Sequence, residues 1–409
     1  MIGRSCYKLF EISLMLKAWG DSFDVKFKES VMLERTVYSE DHEIFRSTVK
    51  KFVEKEIVPF HSQWEKDGVV SREVWRSAGE NGLLCSFVPT EYGGPGGDFL
   101  HTAIVTEELA KVDASGVAFH LHSGIVAPYI LNHGTEEQKK KWLPGMCSGQ
   151  IIGAIAMTEP GAGSDLAGIK TSAVRDGDDY ALNGQKTFIS NGHLADLVIT
   201  ACKTDASAGA KGISLLVVER NDGGFTRGRN LEKIGWKAQD TSELFYADVK
   251  VTPDRMIGKE NMGFKYLMEE LAQERLIVGI RAASTIEAAL SETVEYTKGR
   301  EAFGKTIFSF QNTRFKLAEA KTKATVVRNF IDHCLELHMM EALDANDAAM
   351  AKLFATETMC EVLDDCLQLF GGYGYMWEYP IARLWAGQRI TRIAGGSSEV
   401  MKEIIARTL

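Results

Sequence analysis

The spacing of apolar residues changes twice along the chain, and that double change limits the folds open to it. From Ser39 the period is helical: SEDHEIFRSTVKKFVEKEI opens on a serine able to cap a helix, carries early acidic residues and sets Phe45, Val49, Phe52 and Val53 on one stripe. SREVWRSAGENGLL, HTAIVTEELAKV and TEEQKKKWLPGM continue in the same style, so the chain to about residue 150 reads as mostly α. Between 152 and 255 the runs shorten to a period of two, as in GISLLVVE and SELFYADVKV. Asp176-Gly177, Asn183-Gly184 and Asn191-Gly192 each read there as a hairpin or turn signal. From Gly263 long helical stripes return, broken by Gly371-Gly372 and Gly395-Gly396, and four long striped helices suit an antiparallel bundle. The expected class is α+β: an N-terminal α domain at 36–151, a compact, barrel-like β domain at 152–262 and a C-terminal four-helix bundle at 263–409, behind an extension at 1–35.

A chain of 409 residues has room for two to three domains with substantial cores. Its 45% apolar and 25% charged residues are those of a folded globular protein. The net charge of −9 and the dispersal of basic residues, with Lys139 to Lys141 the one compact run, argue against a nucleic-acid partner. Seven widely spaced cysteines without a CxxC pair predict neither a disulfide framework nor a metal site. No segment approaches the ~20 apolar residues that cross a bilayer. Arg4, Lys8 and Lys17 among Leu9, Phe10, Ile12, Leu14 and Leu16 suit a mitochondrial transit peptide, and Glu11, Asp21 and Asp24 count against one. The mitochondrial matrix is the expected location, with the cytoplasm as the alternative.

Two places carry chemistry. Ile151 to Met157 reads as a short buried strand, and MTEPGAGSD at 157–165 follows it: Pro160 ends regular pairing, while Gly161 and Gly163 let the backbone approach a flat or anionic ligand beside Thr158 and Ser164. A bare GxG would more often be a surface turn. Glu274 shares a helix face with Leu267, Leu271 and Val278, and the positions three and four residues away hold Glu270, Leu271, Ile277 and Val278, none of them a cation. A carboxyl buried there without a partner has a raised pKa, as a general base requires. The alternative is a partly exposed glutamate paired with a basic group from elsewhere.

MTEPGAGSD, with ISNG at 189–192, REAFGK at 300–305, QLFGGYGYM at 368–376 and GGSSEVMKEIIAR at 395–407, resembles the acyl-CoA dehydrogenase family from about residue 36 to the C-terminus. GAIAMTEPGAGSDL, AQERL and YMWEYPIAR together are most similar to its long-chain type. The resemblance implies the family's α, β, α architecture and FAD, with Ile155, Met157, Thr158, Gly163 and Ser164 along one side of the isoalloxazine and Phe188, Ile189 and Ser190 along another. It implies that Arg300, Phe303 and Gln311, and likewise Gln368, Gly371 and Gly372, reach the cofactor of a neighbouring subunit, that Ser397 and Glu399 meet its adenosine, and that the protein is a homotetramer.

Where the family most often carries its base, RIAGGSSEV has Gly395, which cannot act as one; in the long-chain and isovaleryl types the glutamate matches Glu274. Ser164 would lie near the CoA pantetheine, Arg275 near the CoA end, and Gly395 and Gly396 against the substrate, the Gly395 amide donating to the thioester oxygen. The implied reaction is dehydrogenation of an acyl-CoA, of long chain, to trans-2-enoyl-CoA in fatty acid β-oxidation, with electron transfer flavoprotein as acceptor. An isovaleryl- or medium-chain-type enzyme, an oxidase, and a non-catalytic binding or assembly protein on the same fold are the alternatives.

Overall fold

The computed structural model describes residues 35–114 and 116–409, within which a compact unit runs from Val37 to Leu409. The expected extension, its targeting role and Cys6 lie outside the described residues as far as residue 34. Helix α1 (Glu40–Phe52) starts at Ser39, whose hydroxyl accepts from the His42 amide, and passes through a wider turn at Val53–Ile57 into α2 (Val58–Asp67). Helices α3 (Arg72–Glu80) and α4 (Phe99–Lys111) follow, and Val49, Phe52, Trp75, Leu84, Ile104 and Leu109 form their common core. Asp98 caps α4 and also meets His42 at 3.1 Å and His101 at 2.8 Å, so this trio is accounted for by two helix starts tied together.

A helical turn at Phe119–Leu121 and a wider one at His122–Val126 lead into α5 (Ala127–His133), then α6 (Glu136–Cys147). The segment before α6 escapes a reading by periodicity because it is buried on nearly every side, leaving no polar stripe to mark a helix.

The middle sheet has β1 (Gly153–Ala156), β2 (Ser172–Asp176), β3 (Asp179–Ser190), β4 (Leu197–Lys203), β5 (Ile213–Glu219), β6 (Phe225–Asn230), β7 (Thr241–Val251) and β8 (Met256–Ile257). Their order is β6-β7-β3-β2-β4-β5-β8, with β1 parallel to β4. Strands β4 and β5 are covered on both faces: Leu197, Ile199, Leu215 and Val217 meet Tyr129, Trp142 and Met146 of the helical layer, while Val198, Leu216 and Val218 join Leu182, Leu244 and Tyr246. That is why these two strands read as unbroken apolar runs while β3 and β7 alternate.

Asp176-Gly177 does form the β2–β3 hairpin, and Asn191, at φ 60, begins the turn after β3. Asn183-Gly184 is corrected: it lies inside β3, at a bulge against β7. Gly184 takes φ 146, and a Cβ there would fall 2.7 Å from the Thr171 Cα, so the glycine serves a close strand crossing. The Asn183 side chain donates to Asp248 Oδ1 at 2.8 Å and accepts from the Asp248 amide at 2.9 Å, which satisfies the groups freed by the bulge.

In the last third, α7 (Gly263–Gly299), α8 (Gln311–Met339) and α9 (Ala345–Phe370) pack through Ile280, Ile286, Val327, Ile331, Met359 and Val362. A two-stranded hairpin, β9 (Glu301–Ala302) with β10 (Lys305–Thr306), joins α7 to α8. The fourth place is taken by two short helices, α10 (Pro380–Gln388) and α11 (Ser398–Ala406), rather than one long one. Gly371 at φ 58 ends α9, Pro380 starts α10, and Gly395 and Gly396 at φ 67 and 94 keep α10 and α11 apart. Among the described residues no helix is long and apolar enough to cross a membrane, and Cys85, Cys147, Cys202, Cys334, Cys360 and Cys366 are all free thiols.

Candidate active site

The glycine loop is fastened from below by a buried charge to which no sequence pattern points. Lys186 of β3, its side chain 0% exposed, donates through Nζ to the Met157 carbonyl and to Glu159 Oε1, both at 2.9 Å. Glu159 also accepts the amides of Lys170 at 2.6 Å and Thr171 at 2.9 Å. Burial works to raise the Glu159 carboxyl, but those donors outweigh it and hold it below the ordinary range; burial, opposed by Glu159, sets the Lys186 ammonium below its own. The Thr187 amide donates to the Thr158 carbonyl at 3.0 Å, which brings the end of β3 beside the loop.

On the outer side a Cβ added at Gly161 or Gly163 would meet nothing within 4 Å. Phe188 follows Thr187 beside this opening, at φ 60 and 66% exposed, an unusual posture for an aromatic residue in a strand. The Ile189 side chain is buried in the sheet core. Ile155, Met157, Thr158 and Ser190 are half-buried, and Gly163 and Ser164 are exposed.

A second patch lies on the C-terminal helices. The exposed Arg300 guanidinium stands 5.6 Å from the Tyr373 ring, which joins REAFGK to QLFGGYGYM. Phe303, at φ 53 in the β9–β10 turn, is 94% exposed, Gln311 and Gln368 are exposed, and Gly371 and Gly372 face open space. Among the described residues no hydrogen bond, ion pair or ring contact links this patch to the glycine loop.

Glu274 lies in α7, buried, and forms no ion pair among the described residues. The segment 119–133 runs antiparallel to α7 beside it: Asn132 Nδ2 and His133 Nε2 each meet Glu270 Oε1 at 2.9 Å, the Tyr129 hydroxyl donates to Glu274 Oε1 at 2.8 Å, and Gln273 Nε2 donates to the Gly124 carbonyl at 2.7 Å. Burial raises the Glu274 carboxyl to about 7; the Tyr129 bond works against the rise, Glu270 one turn away adds to it, and Arg275 opposes it. Tyr129 is the contact that sequence reasoning missed, since nothing in APYILNH singles out its hydroxyl.

Around Glu274, Arg275 is buried with its Nε unpartnered among the described residues, and its charge acts on Lys352. Lys352, lowered to about 8 by burial and by Arg275, donates to the Gly396 carbonyl at 2.5 Å. A Cβ on Gly395 would lie 3.9 Å from Val278, one turn along α7 from Glu274. A side chain at 395 would therefore project toward the helix face that carries Glu274. Ser397 caps α11 by accepting from the Val400 amide at 3.4 Å, and Glu399 is exposed in its first turn.

Three family models match in sequence: acyl-CoA dehydrogenase N-terminal domain at residues 39–150, middle domain at 154–249 and C-terminal domain at 261–409. The long-chain specific acyl-CoA dehydrogenase, mitochondrial, of Mus musculus is 51% identical over 377 residues, which cover 92% of this chain and 88% of that protein. The crystal structure of acyl-CoA dehydrogenase from Geobacillus kaustophilus has a TM-score of 0.90 at 50% identity, covering 92% of this chain and 99% of its own. A glutaryl-CoA dehydrogenase from Mycobacterium smegmatis, in complex with FADH2, has a TM-score of 0.84 at 27% identity, covering 91% and 95%. Matched in all three of its parts, and half identical to such a relative over most of its length, the chain belongs to the acyl-CoA dehydrogenase family.

Proposed function

We propose that the protein dehydrogenates a fatty acyl-CoA to the trans-2-enoyl-CoA, with Glu274 as the base that takes the α-proton, FAD as cofactor and electron transfer flavoprotein as the onward acceptor. The observation that carries this reading is the Glu274 carboxyl itself, buried, held by one hydroxyl and raised to about 7. FAD, when bound, accepts the β-hydride. The residues present fit it: a glycine bend open to solvent, the half-buried Thr158, and a phenyl ring kept exposed beside them make a place for a flat ring with a polar edge.

Ile155, Met157, Thr158, Gly163 and Ser164 would flank that ring system with Phe188, Ser190 and the Ile189 backbone. Arg300, Phe303, Gln311, Gln368, Gly371 and Gly372, apart from that cradle, would complete a neighbouring subunit's site in a homotetramer, with Ser397 and Glu399 toward the adenosine. On the substrate side Ser164 and Arg275 would face the CoA moiety. The amide of Gly395, followed by a Gly396 that Lys352 fixes, would stabilise charge on the thioester oxygen as the proton leaves. Similarity to the mouse enzyme supports a preference for long acyl chains and mitochondrial residence.

Anaerobic titration of the flavin absorbance with saturated acyl-CoAs of increasing length tests the reading. Bleaching that is fastest with long chains is the expected result, and bound flavin that no acyl-CoA reduces would overturn it. A variant probes the base. In Tyr129→Phe the carboxylate loses its donor, so its protonated form persists to higher pH and the acid limb of kcat/KM moves up by about one to two pH units. Glu270 and Arg275 remain in place and keep their opposing effects. An unmoved limb would show that Tyr129 does not set the ionisation of the base.

A further inference from the structure

The contacts between the 119–133 segment and α7 form a ladder whose far rung is incomplete. Glu270 is met by Asn132 and His133, and Glu274 by Tyr129. Arg281 stands seven residues beyond Glu274 on the same face, with Val278 between them, roughly 10 Å farther along the axis. It is 3% exposed, and its Nε and Nη2 have no hydrogen-bond partner among the described residues.

The groups around Arg281 share this lack. The Trp236 ring centroid lies 4.4 Å from the guanidinium carbon, and its Nε1 is unpartnered. His120, on the segment opposite, has an unpartnered Nδ1; burial and the charge of Arg281 lower it to about 3, so its ring is neutral. His61 is likewise lowered to about 4, by burial and by Arg383 and Arg281. Asp113 is close enough to act on Arg281, yet its carboxylate is bonded to Arg383 at 3.3 Å.

The N–H groups of Arg281 and Trp236 can only donate, so the missing partner is an acceptor, and a buried guanidinium also calls for negative charge. A methyl-terminated chain reaching this depth would leave those donors stranded in apolar surroundings, whereas a carboxylate can take the planar fork of an arginine in two bonds.

We infer that Arg281, with Trp236 and His120, binds the carboxylate at the far end of the acyl chain, and that the preferred substrate is the CoA monothioester of a dicarboxylic acid. This rests on the proposed dehydrogenase activity with Glu274 as its base, and it takes the acyl chain to run from Glu274 along α7 toward Arg281. It narrows that activity, since the nature of the distal group, and not length alone, sets the preference.

The test compares methyl-terminated and ω-carboxy acyl-CoAs of equal carbon number, from short to long, in the wild-type protein and in Arg281→Met and Arg281→Lys, each matched for flavin content and Tm. At the length that reaches Arg281 the ω-carboxy substrate should exceed its methyl counterpart at least tenfold in kcat/KM. That ratio should fall at least tenfold in Arg281→Met and partly recover in Arg281→Lys. Methyl-terminated substrates equal or better at every length in the wild-type protein, or a ratio unchanged in Arg281→Met, would overturn the inference. Failure of both series to reduce the flavin is a different pattern, and it would overturn the dehydrogenase reading and this inference together. Because the wild-type comparison needs no variant, a misfolded Arg281→Met leaves the inference open to refutation.

Discussion

Glu274→Gln should remain folded and flavin-loaded while its turnover of acyl-CoA falls by ~10² to 10⁴ or more, the range a positioned general base supplies. The amide is nearly isosteric with the carboxyl, and its carbonyl oxygen can still accept from Tyr129, so the packing of α7 against the 119–133 segment is preserved. The substitution also removes the cost of ionising a buried carboxyl, which favours the folded state. Glu270 is the nearest other carboxylate on α7, but it is engaged by Asn132 and His133 and cannot take over without giving them up. Rapid mixing with acyl-CoA under anaerobic conditions, alongside the flavin-to-protein absorbance ratio, separates lost chemistry from lost cofactor. Near-normal bleaching would remove Glu274 from the mechanism.

Lys186→Met is expected to cost about 3–5 kcal/mol of stability, the penalty for leaving one partner of a buried ion pair behind. Glu159 would keep the Lys170 and Thr171 amides but lose its cation, and the Met157 carbonyl would lose its donor, so the loop that would flank the cofactor should loosen as well. Urea unfolding and flavin content measured on the same preparation read both effects. Adding Glu159→Gln should restore much of the stability, because the stranded charge is then gone. Unfolding within about 1 kcal/mol of the wild type in the single variant would mean that the pair contributes little to the fold.

How far each feature is legible in the amino-acid order depends on where its signal resides. The switch from helical to two-residue period shows because α1, β3, β7 and α7 each present a polar face that marks the period. The 119–133 segment has almost none, and so the element that carries Tyr129 and His120 stays hidden. Glu274 stands out from offsets within its own helix, whereas Lys186 and Glu159, 27 residues apart, meet only because the loop after β1 lies against the end of β3. Asn183-Gly184 misleads because one dipeptide serves both tight turns and bulges, and only the strand packed beside it decides between them. Arg281 is within reach of sequence reasoning: the apolar stripe through Leu267, Leu271 and Val278 continues to position 281, where a cation stands in place of a hydrocarbon.

Placing the carboxylate on α7 rather than at position 395 also divides the site mechanically. The proposed proton acceptor, embedded in a 37-residue helix packed against α8 and α9, can shift only as far as those helices slide. The stretch at Gly395 and Gly396, relieved of a charged side chain, is free to adopt left-handed turns that few other residues tolerate, and it offers only main-chain groups. Sequence drift on that side can therefore reshape the Gly395–Gly396 stretch while the proposed base keeps its place on α7.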